Sequence, residues 1–72
     1  MDMSSIGANI RSARVRRKWR QEDLAEKTGL SPNYIGAIER GEKIPALETL
    51  LTIINVLGVS SGAILNGVVE AD

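Results

Sequence analysis

Residues 21–40 read QEDLAEKTGLSPNYIGAIER, and the spacing of small, apolar and capping residues in this stretch decides the fold. Ala25 is small enough for a following helix to cross close above it, and Gly29 can adopt the positive φ that reverses the chain. Ser31 is a favoured N-cap, and Pro32 suits the first helical position, where a missing N–H costs nothing. The apolar residues that would hold the second helix on the core are Leu30, Ile35 and Ile38. The stretch therefore predicts a helix-turn-helix.

Outside this stretch, apolar residues recur every three or four positions, which is helical periodicity. Ile6, Ile10 and Ala13 form one such stripe, and a second runs from Leu47 to Leu57. Five helices are predicted. The first two span about 6–18, ended by Trp19, and 21–28. The third begins at Pro32 and stops at Gly41, the fourth runs from Pro45 or Ala46 to Leu57, and the fifth spans 60–66. Because short links leave little room for sheet crossovers, we expect an all-α orthogonal bundle of five helices.

Length and composition limit the class of protein. A chain of 72 residues allows one domain, which we place at 1–72, with the helix-turn-helix at about 21–40. Without cysteine or histidine, the chain lacks the usual thiolate and imidazole groups, so we expect no enzyme activity, cofactor or metal site. Residues 58–62 match the G-x-S-x-G pattern by letter, but the strand and the histidine that this pattern needs are missing. The first ten residues resemble no secretory signal, so we expect a cytoplasmic protein.

Charge is segregated along a chain whose net charge is zero. Residues 1–43 hold all nine Lys and Arg with six acids, a balance of +3, whereas residues 44–72 hold three acids and no base, a balance of −3. Six of the nine basic residues lie between Arg11 and Arg20. A solvated helix face would show the same cluster of cations, so charge alone does not identify a nucleic-acid partner. The predicted second helix of the helix-turn-helix is compatible with DNA as a partner, because such a helix can enter a major groove about 12 Å wide.

The sequence resembles the Cro/cI-type, or XRE-family, helix-turn-helix repressors, in particular their short stand-alone members. The resemblance rests on three blocks in the family's order and spacing: IGANIRSARVRRKW at 6–19, QEDLAEKTGLSPNYIGAIERGEKIP at 21–45 and LETLLTIINVLGVSSGAILNG at 47–67. It implies a five-helix, lambda-repressor-like domain whose helices 2 and 3 form the helix-turn-helix. It also implies sequence-specific binding to double-stranded DNA.

The residues expected to read bases lie on one side of the third helix. On a helical wheel Ile35 and Ile38 point inward, and the positions that match the family's reading face are Pro32, Asn33, Gly36 and Ala37. The amide of Asn33 can bond both adenine N6 and N7, although a bond to the local backbone is the alternative. Gly36 indicates a close approach of backbone, either to DNA or to the second helix.

A second set of residues is expected to hold DNA phosphates or the domain itself. The resemblance implies that Gln21, with its helix N-terminus, binds a phosphate. Further candidates for phosphate contacts are Arg17, Arg20, Tyr34, Arg40 and Lys43, each of which is alternatively a surface or structural residue. The resemblance also implies a structural ion pair between Arg14 and Glu39.

The C-terminal residues are more apolar than a small monomer needs, which suggests a homodimer. The candidate dimerisation region is 60–72, and the candidate interface residues are Val56, Leu65, Val68 and Val69, whereas Ile64 suits the core better. Two copies would read a short palindrome with their recognition helices about 34–36 Å apart. We therefore expect a homodimeric transcriptional regulator, with no membrane or small-molecule partner. The alternative is a protein-interaction module, an antirepressor or antitoxin partner with weak or no DNA readout.

Overall fold

The computed structural model describes residues 3–68, and its helices follow the expected order. The five helices are α1 (Ser4–Arg16), α2 (Gln21–Thr28), α3 (Pro32–Glu39), α4 (Leu47–Leu57) and α5 (Ser61–Leu65). No strand occurs within residues 3–68, so the predicted five-helix, all-α fold is confirmed. None of the helices in this range is long and apolar enough to cross a membrane.

The core is built from one face of each helix. Its largest fully buried side chains are Ile6, Ile10, Leu24, Ile35, Ile38, Ile53, Leu57 and Ile64. They form a single cluster in which α1 packs on both α3 and α5, and α2 packs on both α3 and α4. Helix α3 is thus held between α1 and α2, which fixes its orientation.

Helix α1 crosses α3 at Gly7, a contact that the sequence did not indicate. A Cβ at Gly7 would overlap the backbone carbonyl oxygen of Ile38 and lie 3.1 Å from the backbone carbonyl carbon of Glu39. Only glycine therefore allows the two helix backbones to approach this closely.

Two side chains of the α1 region hold the C-terminal helices in place. The Asn9 amide donates to the carbonyl oxygens of Ile64 at 2.7 Å and Asn66 at 2.8 Å, at the C-terminal end of α5. The Arg17 guanidinium donates to the carbonyl oxygen of Leu57 at 2.6 Å, at the end of α4. Both side chains satisfy carbonyl groups that a helix C-terminus leaves without an intrahelical partner.

The C-terminal residues correct part of the expected dimer interface. Val68 is only 4% exposed and belongs to the core, because the turn after α5 folds back onto the bundle. Ile64 is buried as expected, and Val56 is half-buried against the core. Leu65 is exposed, whereas Val69 lies outside the described residues. Of the four candidates, Leu65 therefore offers the largest free surface within residues 3–68.

Helix α1 ends two residues before the predicted boundary, because the chain turns at Lys18. The Trp19 N–H donates to the Arg14 carbonyl at 3.2 Å, and the Lys18 N–H donates to the Val15 carbonyl at 2.9 Å. These two bonds define a Schellman motif, in which glycine usually takes the left-handed position. Here Lys18 takes that position, with φ of 61°.

We expect Lys18→Gly to stabilise the protein by about 0.5–1 kcal/mol, because glycine removes the cost of a left-handed side-chain-bearing residue. Thermal unfolding followed by circular dichroism measures this as a rise of a few degrees in Tm. Arg16→Gly, inside the last turn of α1, serves as the matched control and should lower Tm. A fall in Tm for both variants would contradict the role given to Lys18.

Candidate DNA interface

Local contacts set the start of α2 and the turn between α2 and α3. The Asp23 carboxylate accepts from the N–H of Arg20 at 2.7 Å, which fixes the start of α2. Gly29 has φ of 77° and reverses the chain, as its position predicted. The Ser31 hydroxyl oxygen then accepts from the N–H of Tyr34 at 3.1 Å and caps α3. Gly29 and Ser31 thus fix where α2 ends and α3 begins.

The exposed part of α3 is shorter than the helical wheel indicated. Pro32 and Asn33 are exposed in its first turn, which matches the expectation for the reading face. Gly36 and Ala37 are buried, with Ala37 only 8% exposed, so the expectation that they face outward is wrong.

Neighbouring segments on two sides explain why α3 has so little free surface. A Cβ at Gly36 would lie 2.9 Å from the Arg40 guanidinium and 3.4 Å from the Gln21 side-chain oxygen, so two side chains, and not the backbone of the second helix, cover Gly36. Near Ala37 the chain after α3 folds back, and the N–H groups of Glu42 and Lys43 donate to the Ala37 carbonyl at 2.9 and 3.3 Å. A helical wheel of α3 alone contains neither of these partners.

A buried polar network joins α1 to the end of α3. Arg14 donates to both carboxylate oxygens of Glu39, at 2.7 and 2.9 Å, so the expected ion pair is present and bidentate. Arg14 also donates to the Trp19 carbonyl at 2.7 Å. The bond to Glu39 raises the pKa of Arg14 above its ordinary value, against the opposing effect of burial. Arg14 therefore stays charged and keeps both of its partners.

The same network reaches the candidate phosphate contact at the start of α2. The Gln21 amide nitrogen donates to Glu39 at 3.2 Å, so the carboxylate that binds Arg14 also orients Gln21. Gln21 is half-buried and is the first residue of α2, where the unpaired N–H groups of the helix N-terminus favour an anion. Glu39 thus links the stability of the domain to the placement of Gln21.

The candidate cations differ in how firmly they are already bound. Arg20 is highly exposed and lies 3.8 Å from Asp23, and Lys43 is exposed. Arg17 already donates a hydrogen bond to the Leu57 carbonyl at the end of α4, and its guanidinium lies 5.0 Å from the centre of the Trp19 ring. The sequence analysis predicted neither contact. Tyr34, a candidate through its hydroxyl group and not through a charge, is half-buried against the core.

Arg40 has a partner that the sequence analysis did not consider. Its guanidinium donates to Glu42 at 2.6 and 3.3 Å, and both side chains are more than half exposed. The hydrogen bond raises the pKa of Arg40 and lowers the pKa of Glu42, so the pair is complete at neutral pH. An acid two residues after a cation is the sequence signal, but the pairing depends on the turn at Gly41, whose φ is 78°.

We expect Glu42→Gln to strengthen DNA binding by about threefold at low salt, because Glu42 competes with a phosphate for Arg40. The dissociation constant is measured by fluorescence anisotropy at two salt concentrations, with the gain shrinking as salt rises. Glu26→Gln, an exposed acid further along α2 and away from its N-terminus, is the matched control for the loss of one negative charge. An equal gain from both variants would show a general charge effect and contradict the competition at Arg40.

The turn, the exposed start of α3 and the polar group at the start of α2 define a helix-turn-helix domain. In agreement with this geometry, the family model described as helix-turn-helix matches residues 10–64, and the chain belongs to this family.

Two curated relatives and one solved structure illustrate the family. The chain is 39% identical over 61 residues to the immunity repressor protein of Bacillus phage phi105, covering 85% of this chain and 42% of the repressor. It is 43% identical over 61 residues to the control protein C.SmaI of Serratia marcescens, covering 83% of this chain and 73% of that protein. A solved structure with the same fold is that of the restriction-modification controller protein C.Esp1396I, a tetramer in complex with its natural 35 base-pair operator. This chain aligns to it with a TM-score of 0.78 and 32% identity, over 88% of this chain and 83% of that chain. The chain thus spans less than half of the phage repressor's length.

Proposed function

We propose that this chain is the sequence-specific DNA-binding domain of a transcriptional regulator that acts as a homodimer on a short palindromic operator in the cytoplasm. The observation that carries the proposal is the exposed first turn of α3, whose first two residues, Pro32 and Asn33, face solvent. The relatives support it, since they include a phage immunity repressor and a controller bound to its operator.

Roles in the proposed complex follow from exposure and chemistry. Asn33 is the base-reading residue, because its amide is exposed and can bond adenine N6 and N7. Gln21 and the N-terminus of α2 bind one phosphate, while Arg20, Arg40 and Lys43 supply cations that set register and affinity. Gly36 and Ala37 are left out of the reading set because they are buried. No catalytic role is proposed for any residue.

A gel-shift titration of the wild-type protein against the DNA upstream of its own gene tests the function, at two salt concentrations and with a scrambled duplex as control. Specific binding whose affinity falls steeply with salt supports the proposal, because each phosphate contact releases counterions. Equal affinity for both duplexes would overturn the proposed specificity.

A second candidate function is favoured by the burial of Gly36 and Ala37, which leaves few side chains for direct base readout. In this alternative the domain binds another protein, as an antirepressor or antitoxin partner. The absence of any shift with either duplex in the titration would favour it.

Two substitutions separate base reading from phosphate binding. We expect Asn33→Ala to reduce discrimination at one base position by about 1–3 kcal/mol, while affinity for other sequences changes little. Arg40→Ala should weaken binding to all sequences alike and reduce the salt slope by about one. Titrations against a set of operators with single base changes measure both effects. Identical behaviour of the two variants would show that the roles are wrongly assigned.

A further inference from the structure

A cavity lies between α1 and α5, on the part of the bundle that the helix-turn-helix does not occupy. Its volume is about 210 Å³, and both polar and apolar side chains line it. The lining includes Asn9, Ser12 and Arg16 of α1 on one side and Val59, Ala63 and Ile64 on the other. We name this cavity the α1–α5 pocket.

We propose that the α1–α5 pocket binds a small organic carboxylate, with the carboxylate at Arg16 and a short apolar chain against Ala63 and Ile64. The inference goes beyond the proposed function and does not depend on it, because none of the lining residues belongs to the helix-turn-helix. From the sequence we expected no small-molecule partner. The pocket forms only where α5 packs on α1, so it has no signature in a single segment.

The charge of the α1–α5 pocket favours an anion. Arg16 is the charged residue of the lining, and the described residues place no acidic side chain beside it there. Arg16 is exposed, and within residues 3–68 it forms no ion pair, whereas Arg14, Arg20 and Arg40 each have an acidic partner. A carboxylate can accept two N–H groups of one guanidinium, so it matches Arg16 in both charge and shape.

The polar groups beside Arg16 are placed to hold the same head group. Ser12 lies one helical turn before Arg16 on the same side of α1, and its hydroxyl can donate to a carboxylate oxygen. Asn9 is fixed, because its amide nitrogen donates to the carbonyl oxygens of Ile64 at 2.7 Å and Asn66 at 2.8 Å. This wall is therefore ordered before a ligand arrives, which lowers the entropic cost of binding.

The volume and the apolar wall of the α1–α5 pocket limit the ligand. About 210 Å³ is the volume of about seven water molecules at roughly 30 Å³ each, which suits a ligand of about six to eight non-hydrogen atoms. Sites for drug-sized ligands are larger than this. Ile64 is buried and Val59 is half-buried, so together they offer a short alkyl chain an apolar surface. A monocarboxylate of about four to six carbons meets these limits.

A second cavity, between α2 and α4, is less suited to a ligand. Its volume is about 250 Å³, but it is more open to solvent than the α1–α5 pocket. The hydroxyls of Thr28 and Thr52 in its lining already donate to carbonyl oxygens of their own helices, at 2.8 and 3.1 Å. Its polar groups are therefore less available than those around Arg16.

A titration of the isotope-labelled wild-type protein with sodium butyrate, followed by NMR in the absence of DNA, tests the proposal. We expect saturable shifts of the amide signals of Ser12, Arg16 and Ala63, with a dissociation constant of about 1 mM, as suits so small a ligand. Butylammonium chloride carries the same alkyl chain with the opposite charge and should cause no saturable shift. Equal responses to both salts, or shifts that never saturate, would overturn the proposal.

Charge variants of α1 separate the pocket from a general effect of positive charge. Arg16→Gln should weaken butyrate binding at least about tenfold, because it removes the charged partner of the carboxylate. Arg16→Lys keeps the charge but loses the paired N–H groups, so it should retain part of the affinity. Arg11→Gln is the matched control, since Arg11 is an exposed cation of α1 outside the pocket. Equal weakening by Arg11→Gln and Arg16→Gln would contradict the assigned site.

Filling the α1–α5 pocket provides a test that keeps every charge. Ala63→Leu should abolish saturable butyrate binding, because the larger side chain occupies the space of the alkyl chain. Ala63 is exposed, so the variant should keep its fold, which circular dichroism checks. Ala46→Leu adds the same bulk at an exposed position before α4 and should leave the dissociation constant unchanged. An unchanged constant for Ala63→Leu would place the ligand elsewhere and overturn the proposal.

Discussion

Glu39→Ala is expected to destabilise the protein by about 3–5 kcal/mol, the cost of breaking a buried ion pair by removing one partner. The Glu39 side chain is 2% exposed and that of Arg14 is 10% exposed, so the guanidinium left behind lacks ready access to water. Chemical denaturation followed by circular dichroism gives the free energy of unfolding. A loss of this size removes a large fraction of the stability of a small domain.

The matched control is Glu42→Ala, which removes an ion pair of similar length from the surface. Water solvates both of its partners, so we expect little change in stability. Replacing both buried partners, as Arg14→Met with Glu39→Leu, should cost less than Glu39→Ala because no charge remains unpaired. If Glu39→Ala were as mild as Glu42→Ala, the buried network would contribute little to the fold.

Gly7→Ala is expected to destabilise the protein by about 3 kcal/mol, at the upper end for overpacked cores. The new methyl group would overlap the backbone carbonyl of Ile38, and backbone cannot rotate aside as a flexible side chain can. Helix α1 must then move away from α3, which opens the contact between Ile6, Ile10 and the recognition helix. Thermal unfolding measures the loss of stability, and a titration with DNA measures the loss of affinity expected when α3 is displaced.

Gly62→Ala is the matched control, because Gly62 is also a helical glycine but its Cβ would meet only the Ser60 hydroxyl at 3.9 Å. Alanine is the better helix former, so this variant should be neutral or stabilised by up to about 1 kcal/mol. Equal destabilisation by Gly7→Ala and Gly62→Ala would contradict the close crossing of α1 and α3.

Local chemistry made the helices predictable from the sequence. Four residues at helix ends act through their own backbone and nearest neighbours. As predicted, Gly29 and Gly58 end helices, Ser31 is an N-cap and Pro32 is the first residue of a helix. In α4 the apolar pattern was correct for Leu50, Ile54 and Leu57, which are buried. It was wrong for Leu47 and Leu51, which are exposed, and it missed Ile53, which is fully buried. Features that depend on one helix can be inferred from one segment.

The free surface of α3 could not be predicted in the same way. The turn at 41–43 folds against Ala37, and the side chains of Arg40 and Gln21 lie over Gly36. Tertiary placement likewise determines three other contacts: the crossing at Gly7, the bond from Asn9 to Ile64 and the pairing of Arg40 with Glu42. A residue's exposure is set by all of the segments around it, and a helical wheel represents only one.

The fluorescence of Trp19 can report on unfolding, because its ring lies between residues of two helices. Trp19 is the sole tryptophan, its ring centre lies 5.0 Å from the Arg17 guanidinium and 4.9 Å from the Lys27 ammonium, and its carbonyl accepts from Arg14. Intrinsic emission from this indole therefore senses the junction of α1 and α2 without any added dye. A change in emission that precedes the loss of helical signal would show that the helix-turn-helix separates from α1 before the bundle melts.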